Sequence, residues 1–184
     1  ILNHLSWNKP IPPDAEGLYD AVKYEEAKKY ASLNFKFSLV TSTLSLLISL
    51  SFFLFVGFAY VDRIATGYSD HAVVQALVFF GLLGLGSFLI NLPLDLFNTF
   101  VIEERFGFNK TSLSTFIGDK VKTLLLTVVL GGGILALLTW LYQALGPYFW
   151  IAGWLVVGSV SIFMAMFYTN LLLPVFNKLT PLEP

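Results

Sequence analysis

Glu103, Glu104 and Arg105 stand side by side. A carboxylate pair next to a guanidinium can serve as a general base, a structural ion pair or a solvated helix end. From the residues alone the helix end or ion pair is favoured, because nothing marks which carboxylate loses water. Asn91-Leu92-Pro93-Leu94-Asp95 is the second candidate. A proline inside a helix frees a backbone carbonyl, and Asn91 and Asp95 place polar groups beside it. Two interpretations stay open: a polar site facing an internal cavity, or an Asp95 already level with lipid headgroups. Gly81, Gly84 and Gly86 superficially suggest a phosphate cradle, but no strand precedes them and Leu and Phe flank them. Small residues that let helices approach closely are expected there. Gly131-Gly132-Gly133 suits a hinge or another close contact. Asn109-Lys110-Thr111 is a formal glycosylation sequon, expected to be unmodified.

Metal chemistry finds little support. His4 and His71 are 67 positions apart, no His-Glu-x-x-His occurs, and there is no Cys. A zinc site needs three protein ligands converging at about 2 Å, so no metal or catalytic residue is assigned within this chain. The missing Cys also excludes disulfides and a thiol nucleophile.

The elements that must position these residues follow from where charge is missing. Of the 184 residues, 56% are hydrophobic, 16% aromatic and only 12% charged, with mean hydropathy +0.73. Soluble domains average about 25% charged residues, so a water-facing globule is excluded. The 18 Phe exclude disorder, and a net charge of −1 gives no reason to expect nucleic acid. Charge-free runs cover Phe37–Val61 (25 residues), His71–Leu94 (24) and Thr123–Asn177 (55), the last broken at Leu145-Gly146-Pro147. A crossing takes about 20 apolar residues. The expectation is an all-α integral membrane fold with four spanning helices, at about 37–61, 71–100, 112–144 and 148–172. Asp14 begins an interfacial helix of about 14–34, and Thr111 or Ser112 caps the third crossing. The runs do not alternate as barrel strands would.

Ten of the eleven Lys and Arg fall before the first run, in the 95–122 segment or in the tail; only Arg63 lies opposite. Positive residues favour the cytosolic side. Both ends and the 95–122 loop are therefore expected there, in a bacterial inner membrane or, in a eukaryote, the endoplasmic reticulum or inner nuclear membrane. A chain that opens at Ile1 without a Met and closes at Pro184 just after a proline-bounded turn is expected to be a fragment or processed piece of something longer.

The stretch Leu92-Pro93-Leu94-Asp95-Leu96-Phe97-Asn98-Thr99-Phe100-Val101-Ile102-Glu103-Glu104-Arg105-Phe106-Gly107-Phe108-Asn109-Lys110-Thr111 resembles the amino-terminal membrane region of the type I CAAX prenyl proteases. Leu173-Pro174-Val175-Phe176-Asn177-Lys178-Leu179-Thr180-Pro181-Leu182 is similar to that family's exit from its last amino-terminal helix. Tyr19-Asp20, Lys23-Tyr24 and Lys29-Tyr30 are similar to its pre-helix segment. The resemblance implies an integral-membrane zinc metalloprotease of seven spanning helices around a hollow chamber. Its zinc would be held by His-Glu-x-x-His and a distal Glu, and the peptide bond after a prenylated cysteine would be cut. It also implies a carboxyl-terminal catalytic domain, which this chain does not contain, so zinc belongs to the full-length protein and the fragment alone should be inactive. Glu103, Glu104, Arg105, Asn109, Pro174 and Asn177 belong to the family motifs without being its chemical residues. With Asn91 and Asp95 they are expected to line the chamber or the junction with the catalytic domain. The expected partners are the lipid bilayer, that missing domain and a prenylated peptide substrate. The alternative is a non-catalytic membrane scaffold. A small transporter would need paired, matching helix breaks, and only the Pro93 region offers one.

Overall fold

The computed structural model describes residues 20–176. Every regular element among them is helical. Helix α1 spans Ala21–Leu54, and the Asp20 carboxylate accepts the Val22 N–H at 2.9 Å to cap it. Helix α2 is Gly57–Tyr68, and α3 is Ala72–Phe97, which continues through a π-helical turn at Asn98–Glu103. Helix α4, Leu113–Leu126, passes through a π turn at Thr127–Gly131 into α5, Gly132–Leu145. A 3-10 turn at Gly146–Tyr148 leads to α6, Phe149–Phe167, and a third π turn at Tyr168–Leu172 leads to α7, Leu173–Phe176.

Among the described residues, three helical stretches are long and apolar enough to cross a membrane: Val22–Leu54, Ala72–Glu103 and Leu113–Phe176. The third reverses on itself. Gly146 takes φ +52, a conformation open to glycine and costly for other residues, and Pro147 follows where its missing N–H is harmless. Beyond the turn the legs run antiparallel. Lys122 Nζ, near the start of one, donates to the Val175 carbonyl near the end of the other at 3.0 Å.

Two features differ from the sequence expectation. The sequence divides an interfacial helix from a first crossing, whereas α1 runs unbroken through Asn34–Phe37. No proline or glycine interrupts that stretch, so the helical ladder has no reason to stop. The same helix ends at Leu54 instead of reaching Val61. Phe55 leaves helical geometry and Val56 sits at φ +56, an unfavourable conformation for a β-branched residue. Phe58 then packs edge-on against Phe52 and Phe53, at 5.4 and 5.1 Å between ring centroids.

The close helix contact expected at the α3 glycines is not made among the described residues. A Cβ added at Gly81, Gly84 or Gly86 would meet nothing within 4 Å, so no other described part of the chain approaches them closely. In the triplet only Gly132 faces another helix, with Leu77 Cδ2 3.7 Å from where its Cβ would be. Asp14, the expected helix start, lies outside the described residues.

The described chain divides into two compact units, one of the residues up to Tyr60 with Leu85–Lys110, the other Val61–Gly84 with the residues from Thr111 onward. Of the described hydrophobic residues only Ala65, Ile102 and Phe116 are buried, while Trp154 is 77% exposed. An apolar surface of this extent suits lipid, where helices satisfy their own backbone hydrogen bonds and side chains need not hide from water.

Candidate functional site

Within the first unit, the start of α1 runs antiparallel to the end of α3. Phe37 stacks on Phe97 at 5.6 Å, and nearer the polar end Tyr30 meets both Phe106 and Phe108 edge-on at 5.2 and 4.8 Å. Edge-to-face ring pairs are worth about 0.5–1.5 kcal/mol each beyond their buried area.

Those two phenylalanines flank the residue that ends the helix. The Phe108 N–H donates to the Glu103 carbonyl at 2.9 Å and the Gly107 N–H to the Glu104 carbonyl at 3.0 Å. This paired six-to-one and five-to-two pattern is a Schellman cap. Gly107 carries φ +73, the left-handed conformation the cap demands. The Phe106 and Asn109 N–H groups also reach the Glu103 carbonyl, both at 3.3 Å. The Asn109 side-chain amide donates to Glu104 Oε2 at 2.8 Å, tying the loop back to the helix it leaves. Ser112 then starts α4, its Oγ accepting the Thr115 N–H at 3.2 Å.

Glu103, Glu104, Arg105 and Asn109 therefore gather at one corner. They form a helix end in which Glu104 serves as an acceptor, and Arg105 makes no ion pair among the described residues. Asn91 and Asp95 lie farther back along α3. The Asn91 amide donates to the Ser87 carbonyl at 2.8 Å and to Ser87 Oγ at 3.3 Å, so it bonds along its own helix. Asp95 is half-buried. Pro93 sits inside α3 and is exposed. Pro174, the second residue of α7, belongs to the second unit, beside the Val175 carbonyl that Lys122 holds. Asn177 lies outside the described residues.

Sequence reasoning missed the capping role of Gly107 and the aromatic clamp made by Tyr30, Phe106 and Phe108. The available signal was a glycine just past a helical stretch with a phenylalanine on each side. The three π turns went unread as well, and two of them adjoin the motif-bearing segments. Such turns often mark functional positions in helices.

A groove of about 470 Å³ opens beside the corner, lined by Glu26, Lys29, Ser32 and Lys36 of α1 with Arg105 and Phe106. A second, more apolar groove of about 340 Å³ lies between the two legs of the second unit, lined by Thr127, Leu130, Tyr168, Leu172 and Phe176 among others. Among the described residues no three His, Cys, Asp or Glu side chains converge to hold a metal. The donor set here does not fit zinc, and no chemical step is assigned to it.

Against known proteins, residues 2–178 match the family model described as CAAX prenyl protease N-terminal, five membrane helices. The chain belongs to this family. It is 32% identical over 179 residues to the human CAAX prenyl protease 1 homolog, covering 94% of this chain and 38% of that protein. It is 31% identical over 183 residues to CAAX prenyl protease 1 of Saccharomyces cerevisiae, covering 94% and 40%. The crystal structure of S. mikatae Ste24p superposes with a TM-score of 0.89 at 30% identity, covering 98% of this chain and 44% of that one. The chain thus spans about four-tenths of the length of these relatives. It is a membrane protein of all-α fold, corresponding to the amino-terminal part of the CAAX prenyl protease architecture.

Proposed function

We propose that this chain forms the chamber wall of a zinc-dependent CAAX-type endopeptidase that removes carboxyl-terminal peptides from prenylated proteins. The superposition on Ste24p over nearly the whole chain is the observation that carries this proposal. In it the chain encloses substrate and the hydrolytic residues, with their zinc, lie in the catalytic domain that follows in the family. Exposed apolar side chains suit the task of accepting a prenyl group, since burying each CH₂ is worth about 0.8 kcal/mol. Asn91, Asp95, Glu103, Glu104, Arg105, Asn109, Pro174 and Asn177 are assigned to the chamber lining or the junction with the catalytic domain. The Schellman corner is rigid enough for the second role, with three backbone N–H groups on the Glu103 carbonyl alone.

The membrane arrangement proposed is four crossings, with the hairpin at Gly146-Pro147 separating the last two. Both ends of the chain and the 95–122 loop face the cytosol, where ten of the eleven basic residues would then lie. The test is hydrolysis of a farnesylated peptide by the purified intact protein carrying this chain. Cleavage of the peptide bond directly after the farnesylated cysteine, lost on chelation and restored by zinc, is the expected result. An intact protein with full zinc occupancy that leaves prenylated peptides uncut would overturn the proposal.

A further inference from the structure

We propose that the groove at the polar end of α1 binds the phosphate of an anionic phospholipid headgroup. Lys29, Lys36 and Arg105 line it against a single carboxylate, Glu26. None of the three cations forms an ion pair among the described residues, whereas neighbouring Lys28 is neutralised by Glu25 at 2.9 Å. The groove therefore keeps a net positive charge, and the Ser32 hydroxyl adds a hydrogen-bonding group. Arg offers a planar fork suited to phosphate oxygens, and Lys offers point charges.

Depth decides between a lipid and a free anion. Lys36 is the last charge before the run that begins at Phe37, and Phe37 stacks on Phe97 of α3. The cations thus sit at the rim of the apolar layer, the level of lipid phosphates. Leu39 and Val40, three and four residues beyond Lys36 on the same side of α1, are 44% and 63% exposed. A headgroup in the groove would lay its acyl chains along that surface. Basic pockets between helices at a membrane face select anionic lipids in this way.

The probe is phosphatidylglycerol, with phosphatidylcholine as the uncharged-headgroup control, bound to the intact protein and followed by native mass spectrometry. Phosphatidylglycerol should be retained preferentially. Each of Lys29→Gln, Lys36→Gln and Arg105→Gln should weaken it about fivefold, and the triple variant should abolish the preference. Lys28→Gln removes the same charge one residue away and should leave it unchanged. Glu26→Gln should strengthen retention several-fold, a gain that misfolding does not produce, and Lys29→Arg/Lys36→Arg should keep it. A triple variant that still prefers phosphatidylglycerol would overturn the proposal. So would displacement of the lipid by millimolar inorganic phosphate (a free-anion site), or loss of a peptide carboxylate instead of lipid in the variants (a substrate site).

Discussion

Replacing Gly107 isolates the backbone role of the corner that the family motif builds. Its φ of +73 lies where a side chain strains the backbone, yet a Cβ there would touch nothing within 4 Å. The penalty of Gly107→Ala is therefore conformational, with no clash to relieve. Left-handed geometry costs an L-residue about 1–2 kcal/mol. Part of that is offset because alanine restricts the unfolded chain more than glycine does, by about 0.4–1 kcal/mol. The net loss expected for Gly107→Ala is about 1 kcal/mol. Gly107→Val should lose more, because β-branching narrows the backbone further, and Gly107→Asn should lose least, because asparagine tolerates this region. Gly84→Ala is the matched control: it sits within α3, also with open space around its Cβ. It should be neutral or stabilising, as alanine is the better helix former by about 1 kcal/mol. Thermal unfolding of the intact protein in one fixed lipid nanodisc reads the order Asn, Ala, Val. Equal midpoints for all three, or a loss at Gly84→Ala matching that at Gly107→Ala, would refute the capping argument.

Three other outcomes follow from neighbouring geometry. Tyr30→Ala removes both edge-on ring contacts and should cost about 1–3 kcal/mol, while Tyr30→Phe keeps them and should unfold like the parent. Asn109→Asp would set a second carboxylate against Glu104 Oε2, now 2.8 Å from the Asn109 amide. The repulsion raises the folded-state carboxylate pKa values, so the variant's deficit should be present at neutral pH and shrink as pH falls through the carboxylate range; a pH-independent deficit argues against it. Val56→Gly relieves the φ of +56 between α1 and α2 and should raise the unfolding midpoint, through a gain in stability of about 0.5–1 kcal/mol after the entropy glycine adds to the unfolded chain.

Charge placement made the broad architecture legible. Lys36 and Asp62 bracket one apolar run, Asp70 and Asp95 another, and burying an unpaired charge in lipid is costly enough that such gaps mean helices in a bilayer. Gly146-Pro147 announced the hairpin for the same local reason, a left-handed residue followed by one that cannot donate. Ser112 was readable as a cap because its hydroxyl can reach an N–H three residues on. What stayed hidden depends on contacts, not composition. Nothing about Val56 foretells a positive φ, since a β-branched residue is among the least suited to one. A π turn shifts the helical register by one residue, but in stretches that are apolar on nearly every side no hydrophobic stripe records the shift. At the corner, Glu-Glu-Arg drew attention as charge, whereas the structure uses the Glu103 and Glu104 carbonyls and one Glu104 oxygen. Gly107, silent as chemistry, decides the geometry.

This chain contributes no cysteine, so in an intact protein whose remaining cysteines are replaced by serine, single introduced thiols map its sidedness directly. Lys23→Cys, Lys110→Cys and Thr66→Cys, each made in the intact protein in sealed, oriented vesicles, would be labelled with a membrane-impermeant maleimide. Four crossings predict that positions 23 and 110 react from the cytosolic face and position 66 only from the other. Labelling of position 66 together with 110 from one face would contradict the membrane arrangement on which the chamber rests.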